Sequence, residues 1–535
     1  MRKLATLLIF TATATAPVLA QSLPGPQAAL DAVVAPLAKR DAPGCAAAVA
    51  ENGNRIATSA FGMADLEHGI ANRPDSVFEA GSVSKQFTAA AILLLAADGK
   101  LALTDDVRKY LPELPDYGRP ITINHLLSHT SGLRDWGAIM SIAGWERSTR
   151  AYTNDDALRV VARQKALNYR PGDEYSYTNS GYNLMAVIVE RVSGESLAEF
   201  SKKRMFAPLG MSHTQWRDDF RRIVKDHAVA YNPAGEGWEE ARPFENVYGN
   251  GGLLTTVGDL LIWNEALGAD RLGPGITARL QEQAALNDGR KIAYARGLSV
   301  GRYNGHVTIS HSGATGGYRA WLERYPAEGL SVAILCNGGS FNPVAIGRAF
   351  VDTRFPKTAA STAEAKALAP DDPHGGLFYN RTTGKTMKLV VAEGRLKPEG
   401  GPVLDMVGEG RFRAGETELA FTTGDSFDLI APDGRSTFVR TAHFAPDAAT
   451  LAAYAGRYSS DEAEAAYDVA VDGEGLRLTL VSRPKLSVVT KPAYRDAFIE
   501  GDTLLRFRRD ASGKVNGMSF GVSRVRDLAF LRVSE

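Results

Sequence analysis

The spacing of apolar and polar positions divides the chain into two parts. In the first part apolar residues recur mostly at helical spacing, most clearly over 84–97, where alanine and leucine predominate and Asp98-Gly99 forms a C-cap. After residue 374 the period becomes two, as in 476–480, and turns such as Asp472-Gly473 separate the segments. The pattern predicts a first part that holds most helices and a second part that is all β.

The elements of the first part are segregated rather than alternating. Two apolar runs around Asn52-Gly53 predict a β-hairpin. From residue 292, strand-like segments separated by glycine turns predict an antiparallel meander followed by a helix at 343–351. Other helices are predicted at 27–40, 84–97, 123–127, 155–163, 182–192 and 256–267, the last with Thr256 and Asp259 as a capping box. This order predicts an α/β domain without βαβ repeats.

Two segments of distinct composition suggest where domains begin and end. Residues 1–20 combine Arg2 and Lys3 with an apolar run and a Val-Leu-Ala ending, which predicts a signal peptide cleaved near Ala20 and export, to the periplasm in a Gram-negative cell. Residues 356–373 are rich in Ala, Ser, Thr and Pro and indicate a linker. We therefore predict three domains, at 25–355, 374–444 and 445–535, the last of them barrel-like.

Composition narrows the function classes. The 61 Lys and Arg residues balance 61 Asp and Glu residues, so no basic surplus favours nucleic acid as a partner. No run of about twenty apolar residues occurs, so no integral membrane segment is expected after signal cleavage. Cys45 and Cys336 lie in apolar, strand-like stretches; a disulfide and two buried thiols both fit.

Neither a metal nor a cofactor is expected. The chain has no HExxH motif, and neither cysteine belongs to a CxxC or Cys/His cluster. His125 and His129 lie close together at a helix end, where capping and packing fit them better than metal binding.

A serine and a lysine three residues apart stand where the Ala/Leu helix begins. Ser82 and Lys85 point the same way, and a helix N-terminus offers backbone N–H groups to a developing anion. Ser482 and Lys485 repeat the spacing, but Pro484 separates them in strand-like sequence, so this second pair is set aside. A serine nucleophile needs a base, and lysine serves only where burial or nearby cations remove its charge.

Two further motifs supply polar groups around such a pair. Tyr177 and Asn179 lie between a Pro-Gly turn and an apolar helix, on a short loop suited to a cleft; Tyr-x-Asn also occurs at 152–154 and 248–250 without that setting. His311-Ser312-Gly313 ends a strand, and the following Ala314 can present its backbone N–H to an oxyanion. A competing His-x-Gly at 374–376 has no strand before it.

Five segments resemble, in order, those of the serine β-lactamase-like hydrolases, a group that includes class C β-lactamases, D-Ala-D-Ala carboxypeptidases and penicillin-binding proteins. They are GSVSK, ITINHLLSHTSGL, PGDEYSYTNSGYNL, GGLLTTVGDLLIW and HSGATGGY, and the resemblance spans residues 25–355. It implies a β-lactamase/transpeptidase-like α/β (α+β) domain, with a central antiparallel sheet flanked by helices, before the barrel-like all-β region.

The resemblance also implies a role for each motif residue. Ser82 would be the acylated nucleophile, Lys85 its activating partner and Tyr177 a proton shuttle. Asn179 would bind the substrate amide, and His311 with Gly313 would form the third motif. The N–H groups of Ser82 and Ala314 would form the oxyanion hole.

The third motif departs from the classical Lys-Thr-Gly. His311 lacks the fixed charge that holds a penicillin-like carboxylate, and its His-x-Gly form is similar to that of D-aminopeptidases and esterases. Those D-aminopeptidases carry all-β domains whose last one sends a loop towards the active site; the sequence does not single out that loop here. We expect an exported serine hydrolase that forms an acyl-enzyme with small D-residue amides, peptides or esters. Carboxylesterase, β-lactamase, and a sensor or binding protein without turnover are the alternatives.

Overall fold

The computed structural model describes residues 25–147, 149–355, 367–431 and 434–534. The predicted signal peptide and residues 356–366 of the predicted linker lie outside the described residues.

The helices are α1 to α12 in chain order, with short 3-10 turns at Ala35–Leu37, Gly81–Ser84 and Val107–Lys109 and a π-turn at Lys202–Phe206. Their bounds are Pro26–Val34, Lys85–Ala97, Ile123–Leu127, Trp136–Ile142, Asn154–Ala162, Ser180–Ser193, Leu197–Ser201, Ala207–Leu209, Val257–Gly268, Ile276–Gln281, Pro343–Arg354 and Ala448–Ala452.

The strands are β1 to β29 in chain order. In the first domain they are Cys45–Glu51, Asn54–Phe61, Met63–Asp65, Ile70–Ala71, Phe78–Glu79, Gln215–Trp216, Tyr231–Ala234, Gly237–Glu240, Leu253–Thr255, Ser299–Tyr303, His306–Thr315, Tyr318–Tyr325 and Leu330–Cys336. The C-terminal region adds Gly376–Asn380, Thr386–Ala392, Arg395–Pro398, Asp405–Gly408, Arg411–Ala414, Thr417–Thr423, Ser426–Ala431, Gly434–Arg440, Gly456–Ser460, Ala465–Asp472, Gly475–Leu480, Ser487–Tyr494, Ala497–Glu500, Thr503–Arg509, Val515–Val522 and Val525–Arg532.

An antiparallel sheet of order β10-β11-β12-β13-β1-β2 forms the centre of the first domain. Both faces of β1 are covered, because alternate residues of a strand point to opposite faces. Ala46 and Ala48 belong to the main core, to which α9 contributes where it packs against β1, whereas Ala47 and Val49 belong to a second core. The central sheet flanked by helices is therefore confirmed.

The disulfide between Cys45 and Cys336 joins β1 to β13, where the two residues pair directly. The sequence left this pairing open, because the two cysteines are almost the length of the domain apart in the chain. The structure resolves the choice in favour of the disulfide.

Two helix predictions differ in detail from the structure. The predicted helix at 27–40 ends at Val34 and continues as a 3-10 turn, because Pro36 offers no backbone N–H to the α-helical ladder. The predicted capping box before α9 is only half formed. Thr256 accepts the backbone N–H of Asp259 at 3.1 Å, but the Asp259 carboxylate accepts the Thr214 hydroxyl at 2.8 Å instead of reaching back.

The C-terminal region is all β, as predicted. Strands β14 to β21 form a sheet of order β16-β15-β14-β21-β20-β19-β18-β17 around a core of its own, and β22 to β29 close into a barrel. The main apolar core of the first domain continues into this barrel. No helix in the described ranges is long and apolar enough to cross a membrane.

Buried polar contacts hold the barrel against the first domain. Arg134, which precedes α4, pairs with Glu462 of the barrel at 2.8 Å, and both side chains are almost fully buried. The Arg134 guanidinium also donates to the carbonyls of Arg526 and Asp527 on β29, at 3.2 Å each. Asn168 donates its side-chain amide to the Arg524 carbonyl at 3.0 Å. The turn between β28 and β29 is thereby held at a defined place on the first domain.

We expect Arg134→Met to lower the free energy of unfolding by about 3–5 kcal/mol, because it leaves the Glu462 carboxylate buried without its cation. Chemical denaturation measures the change. The matched control is Arg163→Met, which breaks the exposed pair between Arg163 and Glu464 and should cost less than about 1 kcal/mol. Equal losses in the two variants would contradict the interpretation of Arg134 as a buried ion-pair partner.

Candidate active site

Ser82 lies on the 3-10 turn Gly81–Ser84, directly before α2. Residues i and i+3 eclipse in a 3-10 turn, which aligns Ser82 with Lys85. The turn lies against the edge of β11, because a Cβ at Gly81 would stand 2.6 Å from the Ala314 nitrogen and one at Gly313 would stand 2.0 Å from the Ala80 carbonyl oxygen. Both positions therefore require glycine.

The edge of β11 is open beside Ser82. Strand β10 pairs with β11 only as far as Ser310, so the following residues of β11 have no neighbouring strand on that side. Gly313 and Ala314 lie there, and a Cβ at Gly313 would stand 3.1 Å from the Ser82 nitrogen. The structure thus brings the backbone of Ser82 and that of Ala314 to one place, as an oxyanion hole requires.

Lys85 is fully buried, and its amine makes three polar contacts. Nζ lies 3.2 Å from the Ser82 hydroxyl, 3.1 Å from the Asn179 side-chain oxygen and 2.6 Å from the Asn250 carbonyl. A neutral amine satisfies all three, since it donates two hydrogens to the amide oxygens and accepts one from the Ser82 hydroxyl.

The surroundings favour this neutral form. Burial lowers the pKa of Lys85 well below its ordinary value; the nearby charges of Arg524 and Arg147 lower it further, and Asp135 opposes them. No ion pair joins Lys85 to a carboxylate in the described part of the chain. The arrangement suits a base that takes the Ser82 proton.

Tyr177 lies beside the same amine, with its ring centre 4.8 Å from Lys85 Nζ. Burial raises the pKa of Tyr177, and the nearby Ser82 hydroxyl offsets this only in part. The phenol therefore keeps its proton at neutral pH and is suited to donate it.

Asp135 holds the loop that carries Tyr177 and Asn179. It caps α4 by accepting the Ala138 N–H at 3.0 Å, and its other oxygen accepts the Asn179 N–H at 2.7 Å. Asn179 thereby keeps its side-chain oxygen on Lys85.

His311 lies on β11 with both ring nitrogens engaged. Nδ1 donates to the Ser312 carbonyl at 2.6 Å, and Nε2 accepts the Tyr294 hydroxyl at 3.0 Å. Burial lowers the pKa of His311 to about 4, and any positive charge on Lys85 acts in the same direction. The structure places His311 at the site as a neutral ring, 6.2 Å from the Tyr177 ring centre to centre. A catalytic role for His311 stays a prediction.

The other two histidines of interest are engaged in capping and packing. His125 completes a capping box with Thr122 at the start of α3. His129 is buried among tyrosines, 4.3 Å from the Tyr177 ring centre, and its Nδ1 accepts the Thr178 N–H at 3.3 Å. Within the described ranges, no group of three or more His, Cys, Asp or Glu side chains could hold a metal ion.

Two residues of the site, Asn250 and Arg524, were not predicted from the sequence. Asn250 belongs to one of the discounted Tyr-x-Asn matches, and it contributes through its backbone carbonyl, which carries no side-chain signature. Arg524 comes from the turn between β28 and β29, and its guanidinium lies 5.1 Å from the Tyr177 ring centre. This turn is the barrel segment that approaches Ser82; no local motif distinguishes Arg524 from the many other arginines of the barrel.

Ser82 opens into a cavity of about 710 Å³, and a second cavity of about 730 Å³ adjoins it between the first domain and the barrel. Arg147, Asn179 and Arg524 line both. Lys485 of the discounted pair lines only the second cavity, with Leu486 beside it. The two cavities together have room for a short peptide.

Comparison with known proteins defines the class. The family model described as Beta-lactamase matches residues 30–355, and the chain belongs to this family. It is a serine hydrolase, and the predicted β-lactamase/transpeptidase-like fold is confirmed.

The similarity to D-aminopeptidases extends through the C-terminal β region. The D-aminopeptidase of Brucella anthropi is 27% identical over 520 residues, which cover 92% of this chain and 96% of that protein. The octameric penicillin-binding protein homologue from Pyrococcus abyssi shares the fold with a TM-score of 0.55 and 21% identity over 84% of this chain and 96% of that chain. The D-amino acid amidase from Ochrobactrum anthropi SV3 does so with a TM-score of 0.52 and 21% identity over 62% and 97%. The chain is a D-aminopeptidase-like hydrolase.

We expect the buried neutral state of His311 to make stability depend on pH. With a folded pKa of about 4 against an ordinary value of 6.5, its contribution is complete above pH 6.5 and is lost as the pH falls towards 4. His311 thereby contributes about 3 kcal/mol to the free energy of unfolding. Chemical denaturation at several pH values should show a shallower loss for His311→Gln than for the wild type. The same loss of stability with falling pH in both proteins would contradict the assignment of His311 as a buried neutral ring.

Proposed function

We propose that the protein is an exported serine hydrolase that cleaves small amides or short peptides containing a D-residue, through an acyl-enzyme. The observation that carries the mechanism is the buried Lys85 amine in contact with the Ser82 hydroxyl. The preference for a D-residue is supported by the similarity to the D-aminopeptidase of Brucella anthropi along nearly the whole of both chains.

In the proposed reaction the Ser82 oxygen attacks the substrate carbonyl while its proton passes to Lys85. The resulting oxyanion is held by the backbone N–H groups of Ser82 and Ala314. Tyr177 then donates its phenolic proton to the leaving amine and regains one from Lys85, so the C–N bond breaks and the acyl group stays on Ser82. Water attacks this ester with Lys85 as base, and release of the acid restores the free serine.

Export is supported by two separate features. The pattern of residues 1–20 is typical of a signal peptide. The Cys45–Cys336 disulfide is of a kind that persists in oxidising compartments such as the periplasm.

We expect a fluorophosphonate probe to label the wild type and to leave Ser82→Ala unlabelled, because only an activated serine reacts with it. The matched control is Ser482→Ala, which removes the serine of the discounted Ser-x-x-Lys pair and should leave labelling unchanged. Mass spectrometry of the labelled peptide locates the adduct. Labelling that survives Ser82→Ala would overturn the nucleophile assignment.

We expect the rate of labelling to rise with pH and to level off well below pH 10.5, because the pKa of Lys85 is lowered and its neutral form is the base. In Lys85→Arg the guanidinium stays protonated at every accessible pH and cannot act as a base. This variant should slow labelling by about 100-fold or more. Stopped-flow labelling from pH 5 to 10.5 measures both. A wild-type rate that still climbs at pH 10, or an unchanged rate in Lys85→Arg, would argue against Lys85 as the base.

A further inference from the structure

The charged side chains that line the Ser82 cavity are all cationic. They are Arg147, Arg319 and Arg524, and no carboxylate stands among the described residues that line this cavity. The charge of Arg147 is balanced by that of Glu245, because its guanidinium pairs with this buried carboxylate through two contacts, one of them at 3.0 Å. Arg319 has no carboxylate partner among the described residues, and Arg524 has only a long ion pair with Asp135, at 3.8 Å.

Arg524 presents its guanidinium to the cavity without a hydrogen bond to any described residue. The carboxylate nearest to it is that of Asp135, at 3.8 Å, and both Asp135 oxygens already accept backbone N–H groups, those of Asn179 and Ala138. The Tyr177 ring lies 5.1 Å from the guanidinium carbon and supports it on one side. The planar fork of donors is therefore available to a ligand.

The backbone of Arg524 is fixed, while its guanidinium makes no hydrogen bond to a described residue. Its carbonyl accepts the Asp135 N–H at 3.2 Å and the Asn168 side-chain amide at 3.0 Å. The barrel thus delivers one guanidinium to a defined position beside Tyr177 and Asn179. A fixed backbone whose guanidinium keeps its hydrogen-bond donors available is the arrangement expected of a group that binds a ligand.

Arg319 adds a second cation elsewhere in the cavity wall. One of its nitrogens donates to the carbonyls of Gly316 and Tyr318, at 2.9 and 2.7 Å, and no ion pair with a described carboxylate engages the rest. Since His311 is neutral, these two arginines supply the lasting positive charge in this cavity. A substrate whose only charge is a free ammonium group would meet repulsion here, whereas an anionic one would meet attraction.

We propose that the substrate carries a carboxylate and that Arg524 binds it through paired N–H groups, with Arg319 adding to the attraction. The inference rests on the proposed function, because it names the substrate class of the same site. Arginine matches a carboxylate bidentately, and charge-assisted contacts of this kind are stronger than neutral ones. The carboxylate belongs either to the leaving group, as the free C-terminus of a D-peptide, or to an acidic side chain on the acyl side.

Two pairs of substrates separate these sources. D-alanyl-D-alanine and its C-terminal amide differ only in a leaving-group carboxylate, and the p-nitroanilides of D-glutamate and D-glutamine differ only in an acyl-side one. We expect the wild type to prefer the acidic member of at least one pair about tenfold or more in kcat/KM. Arg524→Gln should reduce kcat/KM for that member about 10- to 100-fold more than for its uncharged partner, whose own loss measures the effect of Arg524 on Lys85. Arg524→Lys should restore part of the preference.

Arg508→Gln is the matched control, because Arg508 is an exposed arginine of the same barrel that does not line the cavity. Fluorophosphonate labelling of Ser82 in each variant shows that the site has folded. A wild type without preference for the acid in either pair would overturn the inference. An equal loss for acidic and uncharged members in Arg524→Gln would also overturn it, and would indicate that Arg524 acts through Lys85 instead.

A binding measurement separates failure of this inference from failure of the proposed function. D-alanyl-D-alanine and its amide are compared as protectants of Ser82 against the fluorophosphonate, as are the two p-nitroanilides. If nothing is turned over but the acid of one pair protects at least tenfold better, and only while Arg524 is present, the proposed function fails and the carboxylate site stands. If the acids protect no better than their uncharged partners, the carboxylate site fails whatever the turnover.

Discussion

The proposed chemistry of this protein depends on one buried lysine amine, that of Lys85, which forms no ion pair with a carboxylate of the described residues. Lys85 is withdrawn from water, and a neutral amine can satisfy its contacts with Ser82, Asn179 and the Asn250 carbonyl. Removing a charge from water costs more than most single contacts return, so burial lowers the pKa of the amine. The rest of the site maintains this condition: α2 buries the stem, Tyr177 covers one side, and nearby arginines disfavour a further cation.

The barrel contributes a residue, Arg524, to the candidate active site. Its core is continuous with that of the first domain, and the Arg134–Glu462 pair is buried between them. The same contacts position the turn that carries Arg524, which lowers the pKa of Lys85 and lines the cavity at Ser82. One residue of the C-terminal region therefore affects both the base and the charge that a substrate meets. Loss of the barrel would alter both properties together.

Much of the fold followed from local patterns. The hairpin around Asn52-Gly53, helix α2 and the meander from β10 to β13 have periodicities and turns that belong to one segment each. The same holds for the grouping of Ser82 and Lys85. Lys85 follows Ser82 by three positions, where the 3-10 turn Gly81–Ser84 leads into α2, and this local geometry brings the two side chains together. One detail that went wrong depended on a neighbour, because Asp259 leaves its capping box for Thr214, which lies on another segment.

What the sequence determined by itself was the family of serine hydrolases, because a serine and a lysine one turn apart, with collinear motifs behind them, are a local property of the chain. The tertiary structure decided which charges surround them. Burial and the Tyr294 hydroxyl keep His311 neutral, the Cys45–Cys336 disulfide joins strands from the two ends of the first domain, and folding of the barrel brings Arg524 beside Tyr177. The disulfide and the contact of Arg524 with Tyr177 join residues that are far apart in the chain, and electrostatic interactions act through space rather than along the chain.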